Sequence, residues 1–127
     1  MAEHSMKLRR ELFEAIRLEQ KTIEMRLYDE KRRQIAVGDT VTFRCEEEKL
    51  TVRVIALHCF PDFAALYGAL PHSKLGSTDP KDMEAYYSLE EQQKYGVLGI
   101  EILREGNIPP SSVRKLTDAP PLLGKGG

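Results

Sequence analysis

One short run constrains this chain more than any other. From Thr22 to Tyr28 the sequence reads TIEMRLY, and its polarity alternates at every step. Ile23, Met25 and Leu27 fall on one side, while Thr22, Glu24, Arg26 and Tyr28 fall on the other. A period of two is the repeat of a β-strand, whose successive side chains point to opposite faces. The run is therefore predicted as a strand with its apolar side toward a core. Its other side gathers a carboxylate, a guanidinium, a hydroxyl and a phenol. Residues two apart share a face, so Glu24 and Arg26 are expected as neighbours in a partly enclosed place. Lys21 stands at the mouth of the strand, and the basic run Lys31, Arg32, Arg33 lies just beyond it.

The remaining elements follow from periodicity and turn chemistry. KLRRELFEAIRL, residues 7–18, places Leu8, Leu12, Ala15 and Ile16 on one helical face, with Phe13 and Leu18 widening it. DEKRRQ is too polar to bury and is predicted as a loop leading through Val37-Gly38-Asp39 into a second strand. Thr40 to Arg44 alternates with Val41 and Phe43 inward, and Cys45 to Lys49 is a polar turn. Leu50 to Phe60 is the longest strand, apolar on both sides around Ile55 and Leu57, and so expected at the centre of a sheet. Pro61-Asp62 opens a helix burying Phe63, Leu66 and Leu70, which Pro71 stops. Residues 71–79 are predicted as a loop and Asp79-Pro80 as the start of a short helix. Ser88 and Glu91 have capping-box spacing for another helix, which ends at Gly96, and Val97 to Leu103 closes the sheet. Residues 106–127, eight of them Gly or Pro, are predicted as a weakly ordered tail, which leaves 1–105 as one domain.

This order of elements is α+β. About five or six strands cover their edges better as a curled sheet than as a flat one, so a small β-barrel flanked by helices is expected, with the polar face of residues 22–28 at its mouth. A content of 41% apolar and 31% charged residues is that of a globular chain. No stretch approaches the roughly 20 apolar residues of a membrane span, so no membrane partner is expected. Met1 to Arg10 lacks the apolar segment of a secretory signal, so a cytoplasmic location is expected. Cys45 and Cys59 are accordingly expected as reduced, buried thiols. His4, His58 and His72 have no Cys or carboxylate at ligand spacing, and no metal or cofactor is expected. The net charge of −1 opposes bulk attraction to nucleic acid, yet residues 7–33 hold nine Lys/Arg against six Asp/Glu. A local anion-binding surface is consistent with that asymmetry, as is a solvated helix face.

The segments KTIEMRLYDEKR, VGD before the second strand, PDF at the middle helix and KYGVLGIEI near the end together resemble the ASCH domain, a branch of the PUA-like superfamily. The resemblance covers about Lys7 to Leu103, and its strongest marker is K-T-I-E-x-R. It implies a small PUA-like barrel flanked by helices, with Lys21, Thr22, Glu24 and Arg26 at a cleft where RNA or a nucleotide-like ligand binds. Functions in such domains are mixed: RNA binding, a ribonuclease activity, and deacetylation of N4-acetylcytidine. In the deacetylase branch a threonine stands where this chain has Glu24, and a glutamate of the middle segment completes the site. Residues 66–78 contain no glutamate, and Glu84 serves only if the insertion folds back.

Two chemistries are open to these residues. In a hydrolase, Lys21 desolvated or Glu24 would activate water and Arg26 would stabilise developing negative charge. In a binding module, Lys21, Arg26, Lys31, Arg32 and Arg33 would contact phosphates, Tyr28 or Tyr95 would stack on a base, and Glu24 would accept from an amino group or orient Arg26. A same-face ion pair that only braces the sheet is the third reading. Tyr86-Tyr87 is expected to seat the short helix, with a stacking role as the alternative.

Overall fold

Val41 and Phe43 are wholly buried, and each sits directly opposite an apolar partner, Val52 and Leu50, across an antiparallel ladder. That hairpin, β3 (Thr40–Cys45) and β4 (Glu48–Phe60), is the centre from which the molecule is built. In the computed structural model, which describes residues 1–104, β1 (Glu3–Lys7) and β5 (Val97–Arg104) flank the hairpin and β2 (Ile23–Leu27) lies beyond β5. The sheet order is β1-β3-β4-β5-β2, with β1 parallel to β3 and every other pair antiparallel. Four helices accompany it among the described residues: α1 (Arg10–Arg17), α2 (Phe63–Ala69), α3 (His72–Leu75) and α4 (Leu89–Tyr95). Two 3-10 segments, Arg32–Gln34 and Pro80–Ala85, complete the chain. The architecture is α+β, and the tail expected at 106–127 lies outside the described residues.

Several expectations need correction. Residues 3–7 form a strand that periodicity did not reveal, because in EHSMK only Met6 is buried and an edge strand requires little more than backbone partners. The helix consequently starts at Arg10; Leu8 is buried from the end of β1, where its N–H donates to Arg44 O at 2.9 Å. Leu18 falls past the helix and is 53% exposed. The turn expected over Cys45 to Lys49 shrinks to Glu46-Glu47, since Cys45 and Glu48 already pair and Glu46 takes a left-handed φ of 56°. β4 is central, but its register slips between Val54 and Ala56, a bulge that turns Ile55 outward. The region 71–79 contains the short helix α3, and the polar run after Tyr28 contains a 3-10 turn. Cys45 is buried, whereas Cys59, near the end of β4, is exposed; both are free thiols.

Two cores lie on opposite faces of the sheet. On one, α1 contributes Phe13 and Ile16 against Val41, Phe43, Val54, Leu98 and Ile100. On the other, α2, α3 and the 80–85 segment cover Ile23, Met25, Leu27 and Val97 through Phe63, Leu66, Leu75 and Met83. Asp62 caps α2 by accepting from Ala65 N–H, and Ser88 with Glu91 forms the full capping box of α4.

Asp39 fastens the beginning of the chain to this frame. Its carboxylate accepts from Ala2 N–H and Ala36 N–H, each at 3.0 Å, and meets His4 Nε2 at 2.9 Å. These partners, His4 first, hold its pKa down to about 2, against an ordinary 3.8. The unfolded chain therefore takes up this proton more readily, so the stabilisation is complete above about pH 4 and is lost as pH falls through 2. Urea denaturation at stepped pH is expected to give Asp39→Asn a flatter profile between pH 4 and 2 than the wild type. Parallel profiles would show that Asp39 does not drive the acid limb.

Candidate functional site

Cross-strand pairing decides which way β2 faces. Ile23, Met25 and Leu27 stand opposite Glu101, Gly99 and Val97, on the side covered by α2 and α3. Glu24 and Arg26 stand opposite Ile100 and Leu98, on the side of α1. The alternation of TIEMRLY is thus that of a strand buried on both faces. Its apolar residues meet the helical insertion, and its polar residues enter the side of the sheet that holds the larger core.

A carboxylate there needs partners. Glu24 is 3% exposed; its Oε2 accepts from Arg26 Nε at 2.8 Å, and its Oε1 lies 3.6 Å from Lys21 Nζ. Lys21 is equally buried at 3%, and its ammonium donates to Leu75 O at 2.9 Å. Gly76 makes that carbonyl available: it ends α3 in a left-handed turn with φ of 73°, and a Cβ there would sit 3.3 Å from Lys21 Cβ. Burial pulls the Lys21 pKa below its ordinary 10.5, with Glu24 opposing the shift. Arg26 extends the network by donating from Nη2 to Lys7 O at 3.0 Å, so one edge strand touches the end of the other.

These three residues form the inner wall of a cavity of about 640 Å³, within the size range of small-molecule sites. Lys7, Arg9 and Leu12 bound it on the side of β1 and α1; Leu75 to Ser77, Lys81 to Met83 and Ala85 to Tyr87 bound it on the other. Tyr86 is 44% exposed and has the Arg9 guanidinium 5.2 Å over its ring. Tyr87 is half-buried against Phe63, with ring centroids 5.9 Å apart. Burial pushes the Tyr87 phenol up, against the pull of the Arg26 and Arg32 guanidiniums. Lys7, Arg9 and Lys81 have no carboxylate within ion-pair distance among the described residues, so the mouth carries uncommitted positive charge.

The residues singled out from sequence divide accordingly. Lys21, Glu24 and Arg26 meet at the cavity. Thr22 instead lines a separate niche of about 40 Å³ with Ile16 and Ile102. Tyr28, Lys31, Arg32, Arg33 and Tyr95 are not part of the cavity wall. Outside it, Arg33 lies 4.1 Å over the Tyr28 ring and donates to Tyr95 O, Arg32 pairs with Asp29 at 3.0 Å, and Lys31 is exposed. Glu84 is exposed and also stands outside the wall. Lys7, Arg9, Ser77, Lys81 and Asp82 line the cavity without having been singled out. Their neighbours in sequence show no motif, and the only signal for Tyr86 and Tyr87 was two adjacent aromatics on a polar segment. Among the described residues, no group of three or more His, Cys, Asp or Glu side chains is placed to hold a metal ion. No helix among them is long and apolar enough to cross a membrane.

No protein-family model matches the chain, and no curated protein does. Two solved structures are similar over nearly their whole length. The crystal structure of hypothetical protein PH0355 is 34% identical with a TM-score of 0.73, covering 81% of this chain and 99% of that one. The solution structure of PF0455 from Pyrococcus furiosus is 35% identical with a TM-score of 0.66, covering 82% of this chain and 98% of that one.

Proposed function

We propose, for a chain that belongs to the same family as PH0355 and PF0455, that the cavity beside β2 binds RNA or a nucleotide-like ligand. The observation that carries this reading is the composition of the wall. A buried, self-satisfied Lys21–Glu24–Arg26 network lies at its base, uncommitted Lys7, Arg9 and Lys81 at its mouth, and Tyr86 with Tyr87 beside them. Cations at a mouth suit phosphate, and an aromatic face suits a base. The same proposal takes the sheet as an ASCH-type, PUA-like barrel, with the Arg26 to Lys7 hydrogen bond spanning the gap between its edge strands.

The Lys7→Ala, Arg9→Ala, Lys81→Ala triple variant is expected to bind a short RNA or nucleoside monophosphate at least tenfold more weakly than wild type. It is also expected to show a smaller dependence of log affinity on log salt, because a mouth that neutralises fewer phosphates releases fewer counterions. Fluorescence titration across a salt series measures both. Unchanged affinity and slope would remove the phosphate-binding mouth from consideration.

One observation favours a second reading, a small hydrolase of modified nucleosides or RNA. Lys21 is buried on the cavity wall beside Glu24, and that burial pulls its pKa below the ordinary lysine value, with Glu24 opposing the shift, which moves the amine toward a proton-accepting role. The two readings separate on Glu24→Gln: a catalytic carboxylate loses turnover with affinity nearly kept, whereas a purely binding site shows no turnover to lose.

A further inference from the structure

The second carboxylate of the cavity lining is Asp82, exposed in the first turn of the 80–85 segment. It stands beside a mouth whose cations attract anions, where it repels the same phosphate that Lys7, Arg9 and Lys81 would hold. No ammonium or guanidinium lies within ion-pair distance of it among the described residues. It is nevertheless held in place. Tyr67 is a buried residue of α2 and must satisfy its hydroxyl internally, which it does by donating to Ser77 Oγ at 2.9 Å. Ser77 in turn donates to Asp82 Oδ2 at 2.9 Å. The chain runs one way, from phenol to hydroxyl to carboxylate, and ends on a group that only accepts. An ionised carboxylate has about four acceptor positions, and Ser77 occupies one of them. Asp82 is exposed on the cavity lining, so the others face the space that water or a ligand's donors can fill.

We infer that Asp82, positioned by Ser77 and Tyr67, recognises hydrogen-bond donors on the uncharged part of the ligand. The donors are either the vicinal hydroxyls of a ribose or the exocyclic amine of a base. This rests on the nucleotide reading and adds a specificity element to it: the cavity takes an anion at its mouth and selects by donor groups at residues 77–82. Deoxyribose offers no vicinal diol there, and uracil or hypoxanthine offers no amine.

The test is calorimetric titration of wild type, Asp82→Ala and Ser77→Ala with inorganic phosphate, the four ribonucleoside monophosphates, their 2′-deoxy forms and IMP. Asp82→Ala is expected to bind the preferred ribonucleotide roughly tenfold more weakly or worse, since a hydrogen bond to a charged acceptor is lost. Its affinity for inorganic phosphate should be equal to or greater than that of wild type, because a repulsive charge is gone. Ser77→Ala should shift both affinities in the same directions by less. If the diol is read, the 2′-deoxy forms bind wild type as weakly as the ribonucleotide binds Asp82→Ala, and the substitution costs them nothing further. If the amine is read, UMP and IMP behave that way instead. Equal affinity of wild type and Asp82→Ala for every nucleotide overturns the assignment, as does a parallel loss of nucleotide and phosphate, which marks a collapsed wall. Wild type that binds neither nucleotide nor phosphate overturns the nucleotide reading itself and this assignment with it.

Discussion

Replacing Glu24 by alanine is expected to lower the unfolding free energy by about 3–5 kcal/mol, the range found when one partner is removed from a buried charge network. Two cations depend on this carboxylate. Lys21 is as buried as Glu24 itself, and Arg26 donates to it at 2.8 Å. Leu75 O and Lys7 O remain as acceptors in the variant, but a carbonyl dipole does not neutralise a buried charge. Lys21 has an escape that Arg26 lacks, because it can release its proton. Burial already holds its pKa below 10.5, and Glu24 is the main influence opposing that shift, so without Glu24 the pKa falls further. The folded protein then holds fewer protons than the unfolded chain over a wider interval below pH 10.5. Stability therefore rises with pH across that interval. The deficit of Glu24→Ala should accordingly be larger at pH 6 than at pH 9. Glu24→Gln, which keeps the shape and an acceptor, should cost about 1–3 kcal/mol. Adding Lys21→Met to Glu24→Ala should recover part of the loss, because an uncompensated ammonium is replaced by a side chain of similar length. Urea denaturation of the four proteins at both pH values measures all of this. A loss under about 1 kcal/mol for Glu24→Ala, independent of pH, would mean that the network is solvated and does not form the dry base of a cavity.

The pairing of Glu24 with Arg26 followed from strand geometry alone, since residues two apart must share a face. The closeness of Lys21 was expected from its place at the strand's entry, but its burial was not: that depends on Leu75 and Gly76, more than fifty residues away, folding over it. Alternation also says nothing about what covers each face. Both sides of β2 are buried here, and the identity of the cover came from the crossover order that places β2 beside β5. Capping chemistry was legible because it is local, as at Asp62, Asp79 and the Ser88/Glu91 box. β1 was not legible, because a parallel edge strand gains its stability from backbone bonds to β3 and needs no pattern of its own. The mouth of the cavity was hidden for a related reason. Lys7, Arg9, Lys81 and Asp82 lie on segments remote in sequence that only the fold brings together, whereas in the basic run Lys31, Arg32, Arg33, conspicuous in sequence, Arg33 engages Tyr28 and Tyr95 and Arg32 pairs with Asp29.

Gly99→Val is expected to destabilise the protein by about 3 kcal/mol, the upper end of the cost of overpacking a filled interior. Gly99 lies inside β5, where a residue without a side chain ordinarily weakens a strand. Its presence is explained by α2. A Cβ at this position would stand 3.2 Å from both Ile23 Cγ2 and Leu70 Cδ1, and 3.6 Å from Leu66 Cδ1. Alanine requires these neighbours to move by a few tenths of an ångström; the two further methyls of valine require α2 or β2 to withdraw. Either movement reaches the cavity by a traceable route. Ile23 precedes Glu24 on β2, and α2 carries Tyr67, whose hydroxyl begins the chain through Ser77 to Asp82. Gly99→Ala should therefore weaken nucleotide binding even though residue 99 lies on the opposite face of the sheet from Glu24, and Leu70→Ala in the same chain should restore much of it by vacating the space. Chemical denaturation and ligand titration of Gly99→Val, Gly99→Ala and Gly99→Ala/Leu70→Ala provide the check. If Gly99→Val stays within about 1 kcal/mol of wild type, α2 is not seated tightly on β5, and the insertion that closes the cavity would have to be held in place by α3 and the 80–85 segment alone.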